Sequence, residues 1–166
     1  MEGTFYKLRK SAESVGLVVL KRSLKMNLEL TSTPSPEDES KVIGEIRNYN
    51  LALVPTHVEQ LCVFDRADSG EIIGGLVGKT YWNYLDISYL WVNDCYRNQG
   101  RATSIMNMAE EEAIRRGCKC ALVDTYSFQA LGFYKNLGYS EFGFVDEFSG
   151  NHTRHYLRKH LKSATV

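Results

Sequence analysis

The amino-acid sequence predicts a mixed α/β domain whose central sheet is mostly antiparallel and flanked by helices. Three stretches carry that prediction. Residues 57–92 read as consecutive strands separated by turn residues. Residues 90–126 read as strand, glycine-bearing turn, amphipathic helix and strand. Residues 139–161 read as a strand pair joined around Ser149-Gly150-Asn151. A chain of 166 residues has room for one domain with a sizeable core, and not for two full ones.

In chain order, residues 1–25 are basic, with Lys7, Arg9, Lys10, Lys21, Arg22 and Lys25 against Glu2 and Glu13. They are expected to form an appended arm, with a single compact domain over 26–166. The segment MNLELTSTP from Met26 alternates like a strand. Ser35-Pro36-Glu37-Asp38-Glu39 is a helix start: Ser35 can cap, Pro36 suits the first helical position, and the acids favour the positive end of the dipole. Val42, Ile43, Ile46 and Tyr49 continue at helical spacing to about Asn50, and Pro55 breaks the chain shortly after.

VEQLCVFD, EIIGGLVGKTYW and YLDISYLWV then form a meander, with a turn at Ala67-Asp68-Ser69-Gly70 and another at Asn83. Gly74, Gly75 and Gly78 mark a bulge or a close backbone approach. A phosphate-binding glycine loop is the weaker reading there, because GGLVG lacks the lysine and helix that such loops need.

Residues 90–116 organise the rest. An apolar strand, LWV, enters a polar turn holding Arg97 and Gly100. A helix comes next, with Ala102, Ile105, Met106, Ala109 and Ala113 in one stripe and Glu110, Glu111, Glu112, Arg115 and Arg116 outside it. Gly117 fits the left-handed position that ends helices, and CKCALVDTY continues as a strand, giving a right-handed βαβ unit with parallel strands. The first N–H groups of a helix have no intrahelical partner and sit at the positive end of its dipole, so this turn is an anion site. SFQALGFYKNLG reads as a short helix capped by Ser127 and stopped by Gly138.

Composition narrows the partners. Lysines plus arginines equal aspartates plus glutamates, which gives no global electrostatic reason for a nucleic-acid or membrane partner. No apolar run approaches the ~20 residues of a membrane span. The run Val15 to Leu20 is shorter than a signal core of ~7–15 residues, so a cytoplasmic protein is expected. Cys62, Cys95, Cys118 and Cys120 form no CxxC pair and have no histidine at zinc spacing; reduced, mostly buried thiols and no metal are expected.

Two motifs in order sharpen the reading. Arg97-Asn98-Gln99-Gly100-Arg101-Ala102 is similar to [QR]-x-x-G-x-[GA], and Ala130-Leu131-Gly132-Phe133-Tyr134-Lys135-Asn136-Leu137-Gly138-Tyr139 is similar to A-x-x-[FL]-Y-x-x-x-G-[FY]. Together they resemble the GNAT superfamily of acyl-CoA-dependent N-acyltransferases, over about residues 26–160 and most clearly over 72–144. The resemblance implies a sheet splayed between the strands carrying LWV and ALVDT. It implies that backbone amides from Gln99 to Thr103, with Arg97, Asn98, Gly100, Arg101 and Ala102, hold the pyrophosphate of acetyl-CoA. The backbone of Leu90, Trp91 and Val92 would pair with the pantetheine arm. Tyr134 would protonate the departing thiolate as a general acid.

The chain departs from the family at two places. Ser127 stands where many relatives carry an asparagine on the cofactor arm, leaving Ser127 or Gln129 to substitute. The common catalytic glutamate is missing from the strand before the motif, where Asp86, Ser88 and Tyr89 stand instead. Asp86 and Asp124 are the carboxylate candidates for a base, and a backbone N–H near Val92 would steady the developing oxyanion. The four histidines lie away from the motifs and are read as surface or strand residues.

The implied activity is transfer of an acetyl group from acetyl-CoA to a primary amine on a small molecule or peptide, with no metal. Homodimers are common in this family. The rival readings are a non-catalytic acyl-CoA-binding module, favoured by the missing glutamate, and a macromolecular acceptor met by the basic arm.

Overall fold

A computed structural model describes residues 26–162. The expected arm, residues 1–25, lies outside the described residues. The described residues divide into two compact units, the first ending at Val42 and the second beginning at Ile43. Residues 26–34 form no strand and every side chain there is exposed. The strand expected for MNLELTSTP is therefore corrected; alternation alone makes no strand without a partner ladder. Helix α1 (Pro36–Leu53) starts where its signature lies and runs past Asn50. The Ser35 hydroxyl accepts from the Asp38 N–H at 3.0 Å and donates to the Asp38 carboxylate at 2.7 Å.

The second unit holds the sheet. Its strands are β1 (Glu59–Arg66), β2 (Ile72–Tyr81), β3 (Tyr84–Val92), β4 (Cys120–Tyr126), β5 (Ser140–Ser149) and β6 (His152–His160), in the order β1-β2-β3-β4-β6-β5. Every neighbouring pair is antiparallel except β3 with β4, which are parallel. Helix α2 (Arg101–Arg115) is the crossover between those two, and α3 (Leu131–Asn136) comes after β4. This is the mixed fold the sequence predicts.

The turns obey their residues. Gly70 takes φ 87° after β1. The β2–β3 turn at Trp82-Asn83 places Trp82 at φ 47°, unusual for a bulky residue. Two bonds hold it there: its N–H reaches Thr56 Oγ1 at 2.7 Å and its indole N–H reaches the Val54 carbonyl at 3.2 Å. Among the strand glycines, Gly78 is the most constrained. A Cβ there would lie 2.6 Å from the Asp86 carbonyl oxygen, at the point where the β2–β3 register slips between Val77 and Gly78. The extra residue on β3 is Ser88, so the bulge sits in the middle of the strand that bears LWV.

Helix α2 buries Ile105, Met106, Ala109 and Ala113 in a core with Leu61, Leu76, Leu85 and Leu157. Each large side chain buried this way contributes roughly 1.5–3 kcal/mol. Glu110 joins them, against the sequence reading that set it outside the stripe: it is 7% exposed. It borders the stripe, and its charge is met by the Tyr139 hydroxyl, which donates at 2.8 Å, and by the Lys159 ammonium at 2.5 Å. That pairing is what makes the burial tolerable. The expectation of mostly buried cysteines is also corrected. Only Cys118 is buried, while Cys62 and Cys95 are exposed and Cys120 is intermediate.

Candidate active site

The parallel pairing of β3 with β4 runs only from Tyr84–Cys120 to Ile87–Val123. Beyond it, residues 88–92 and 124–126 have no ladder between them, and the strands diverge. The direction of the freed groups can be read from the opposite edge. The Asn93 N–H bonds the Ile73 carbonyl at 2.9 Å. By antiparallel alternation, the backbone groups of Leu90 and Val92 therefore point away from β2 and into the gap. Arg97 Nε takes up the Val92 carbonyl at 3.0 Å, and its terminal nitrogen meets Asp94 at 2.6 Å. Arg97 thus caps the loop that leads from β3 into α2.

The turn into α2 is built from left-handed residues, Asn98 at φ 58° and Gly100 at φ 76°. A Cβ on Gly100 would meet nothing within 4 Å, so the space over it is open. The first helical bond is from Ser104 N–H to the Gly100 carbonyl at 3.0 Å. The N–H groups of Arg101, Ala102 and Thr103 are left without an intrahelical partner. Arg101 is held at the rim by Asp65 at 2.8 Å and lies 5.1 Å from the centre of the Tyr96 ring.

Across the gap, the Gln129 carboxamide oxygen accepts from the Tyr126 N–H at 3.1 Å and the Thr125 hydroxyl at 3.2 Å. These bonds shape the loop between β4 and α3. Tyr134 on α3 is 6% exposed and packs edge-on against Phe133 and Tyr139, with centroids 5.2 and 5.9 Å away. Its hydroxyl has no hydrogen-bond partner among the described residues, yet no sealed, unsatisfied side-chain oxygen or nitrogen occurs there. The ring is buried and its hydroxyl opens to the cleft. Burial pushes the Tyr134 phenol up to about 12, with the Asp124 carboxylate adding to the effect. It stays protonated through the neutral range.

One cleft of about 1230 Å³ gathers most of the residues that the sequence singled out. Leu90, Trp91, Val92, Arg97, Asn98, Gly100, Arg101, Ala102, Thr103, Gln129 and Tyr134 all line it, as do Asp86 and Asp124. Gln99 and Ser127 do not. The Gln99 side chain turns back to the Cys95 carbonyl at 3.3 Å. Ser127 is not a helix cap either, because α3 is preceded by Ala130 without a side-chain cap bond. Its hydroxyl is occupied by the His152 ring at 3.3 Å and the Thr153 N–H at 3.2 Å. That contact brings His152 beside the β4–α3 loop, where sequence reasoning did not place it.

Sequence reasoning also missed Phe128 and Arg154 on the cleft wall. Arg154 donates through Nε to Asp124 at 2.8 Å. No spacing rule signals that pair, since the two residues meet only through the β4–β6 register. Among the described residues, no group of three or more His, Cys, Asp or Glu side chains is placed to hold a metal ion. No helix among them is long and apolar enough to cross a membrane.

Comparisons with known proteins agree with this geometry. Residues 26–139 match the model of the acetyltransferase (GNAT) family. Acetyltransferase Atu2258 of Agrobacterium fabrum is 33% identical over 135 residues, covering 81% of this chain and 98% of that protein. The blasticidin-S acetyltransferase of Streptomyces morookaense is 33% identical over 105 residues, or 63% of this chain and 77% of the relative. A crystal structure of an acetyltransferase from Bacillus cereus superposes with a TM-score of 0.72 at 27% identity, covering 82% of this chain and all of that one. A splayed sheet, an open amide turn and a family match over most of the chain lead to one conclusion: this protein belongs to the GNAT acetyltransferases and is an acyltransferase enzyme.

Proposed function

We propose that this enzyme transfers the acetyl group of acetyl-CoA directly to the primary amine of a small molecule or peptide. The observation that carries the reading is the Tyr134 hydroxyl: a buried phenol, kept protonated, with no partner but what enters the cleft. The residues present fit the donor. The N–H groups of Arg101, Ala102 and Thr103 suit a diphosphate, and Gly100 leaves room for it to approach. The outward N–H and carbonyl of Leu90 suit an amide-bearing arm laid along β3 as an extra strand, and at Val92, whose carbonyl Arg97 takes, the N–H alone is left facing the gap.

Acetyl-CoA supplies a thioester that is already activated, so positioning provides much of the acceleration. The β3 edge aligns the donor. The Val92 N–H faces the gap where the carbonyl oxygen gains negative charge. As the amine nitrogen forms its bond to the acyl carbon, the carbon–sulfur bond breaks and Tyr134 gives its proton to the sulfur. The proton released from the nitrogen returns to the phenolate through solvent, so the products are the amide and free coenzyme A. An acceptor that arrives as an ammonium first gives up one proton, to solvent or to Asp86, which lines the cleft with Lys79 3.6 Å away; Asp124, the other carboxylate on the wall, is already paired with Arg154. The relative whose name gives blasticidin S as its acceptor supports a small molecule.

The test pairs calorimetry with a thiol-release assay over a panel of primary amines. Binding of acetyl-CoA together with amine-dependent thiol release is expected. Binding without release for every amine contradicts the proposal and favours a binding module.

A further inference from the structure

We infer that the Asp124–Arg154 pair, with the aromatic rings around it, is the acceptor subsite, and that it selects flat amines that carry a carboxylate. The inference rests on the acyl-transfer reading above and names the substrate class of the same cleft.

The placement comes from strand alternation. Ala121, Val123 and Thr125 of β4 are buried toward the core, so Leu122, Asp124 and Tyr126 face the other side of the sheet. The register sets Tyr156 of β6 opposite Asp124, and Arg154 opposite Tyr126, so all four share that side. Where β3 and β4 part, this surface runs into the cleft, and Asp124, Tyr126, Phe128 and Arg154 line it. A donor held along the amide turn and the β3 edge leaves this opposite wall to the second substrate.

The chemistry of the wall is specific. The Arg154 guanidinium is fixed through Nε by Asp124 at 2.8 Å, and its carbon lies 5.3 to 5.7 Å from the ring centres of Tyr156, Phe148 and Tyr126. Its two terminal nitrogens meet no acceptor among the described residues. A guanidinium already oriented, with its outer N–H groups open, is a receptor for a carboxylate. Beside it, Tyr126 and Phe128 stack at 5.3 Å with 2° between their planes, and Phe128 is 60% exposed. An exposed stacked pair offers a flat apolar shelf to a planar body.

Three acceptors separate the contributions: benzylamine, 4-(aminomethyl)benzoate and 6-aminohexanoate, each assayed with the full chain and saturating acetyl-CoA. The carboxylated ring should be preferred to benzylamine by about tenfold in kcat/KM, the scale of a charge-assisted hydrogen bond. Arg154→Gln should bring that ratio close to one, and Arg154→Lys should restore part of it. Phe128→Ala should lower the preference for 4-(aminomethyl)benzoate over 6-aminohexanoate. Equal rates for benzylamine and its carboxylate, or a ratio that Arg154→Gln leaves intact, overturn the subsite while sparing the transfer reading. No thiol release with any amine, with acetyl-CoA still bound, overturns both. Should Arg154→Gln fail to fold, the wild-type preference and the Phe128→Ala ratio decide the matter.

Discussion

Gly100 shows what a single residue contributes to this enzyme. At φ 76° it holds a conformation that costs an L side chain about 1 kcal/mol, and the space above it is open. Gly100→Ala should therefore fold with a modest loss of stability and weaken acetyl-CoA binding about tenfold, as the methyl group meets the diphosphate. Calorimetry checks this, and an unchanged Kd would place the donor elsewhere. The glycine and the Tyr134 helix were legible in the sequence because each belongs to a short contiguous motif. Arg154, Glu110 and His152 were not, for one physical reason. Their partners Asp124, Tyr139 and Ser127 are distant in the chain and meet only through strand register or helix packing.

Among the elements, β3 decides the site. Its pairing with β2 slips at Ser88, and its pairing with β4 ends at Ile87, so the bulge and the opening of the cleft coincide. A bulge bends its strand and increases the local twist, which is how one extra residue helps two strands to part. Gly78 permits it. In Gly78→Ala the new methyl would lie 2.6 Å from the Asp86 carbonyl oxygen, a backbone atom that cannot turn aside. A loss of about 2 kcal/mol is expected, read as a lower urea midpoint, with transfer activity falling as β3 shifts. Wild-type stability in that variant would mean that the bulge yields freely. The strands and α2 kept closely to their sequence patterns. The absent strand at MNLELTSTP and the missing cap at Ser127 share a cause: the local pattern favours each, and long-range pairing decides otherwise.

At the scale of the whole molecule, two buried phenols set an alkaline limit. Burial raises Tyr134 to about 12 and pushes Tyr139 well above its usual range, where the Glu110 carboxylate adds to the shift. In the unfolded chain both ionise near 10, so above that pH the unfolded state holds fewer protons and stability falls. The Tyr134 contribution is intact below pH 10 and is lost, on the order of 2 kcal/mol, as pH rises toward 12. Urea midpoints at pH 8, 10 and 11 should decline across that window, and Tyr139→Phe should make the decline shallower. A midpoint that stays level to pH 11 would mean that burial of the two rings does not hold their phenols protonated in the folded state.

The central claim is that a cleft between β3 and β4 holds acetyl-CoA while Tyr134 protonates the departing sulfur. Tyr134→Phe removes one oxygen that has no hydrogen-bond partner among the described residues, so the fold and the donor site should survive. With an amine that supports wild-type turnover, thiol release should fall by about 10²- to 10³-fold while the calorimetric Kd for acetyl-CoA stays the same. Thiol release at the wild-type rate in Tyr134→Phe would contradict the account.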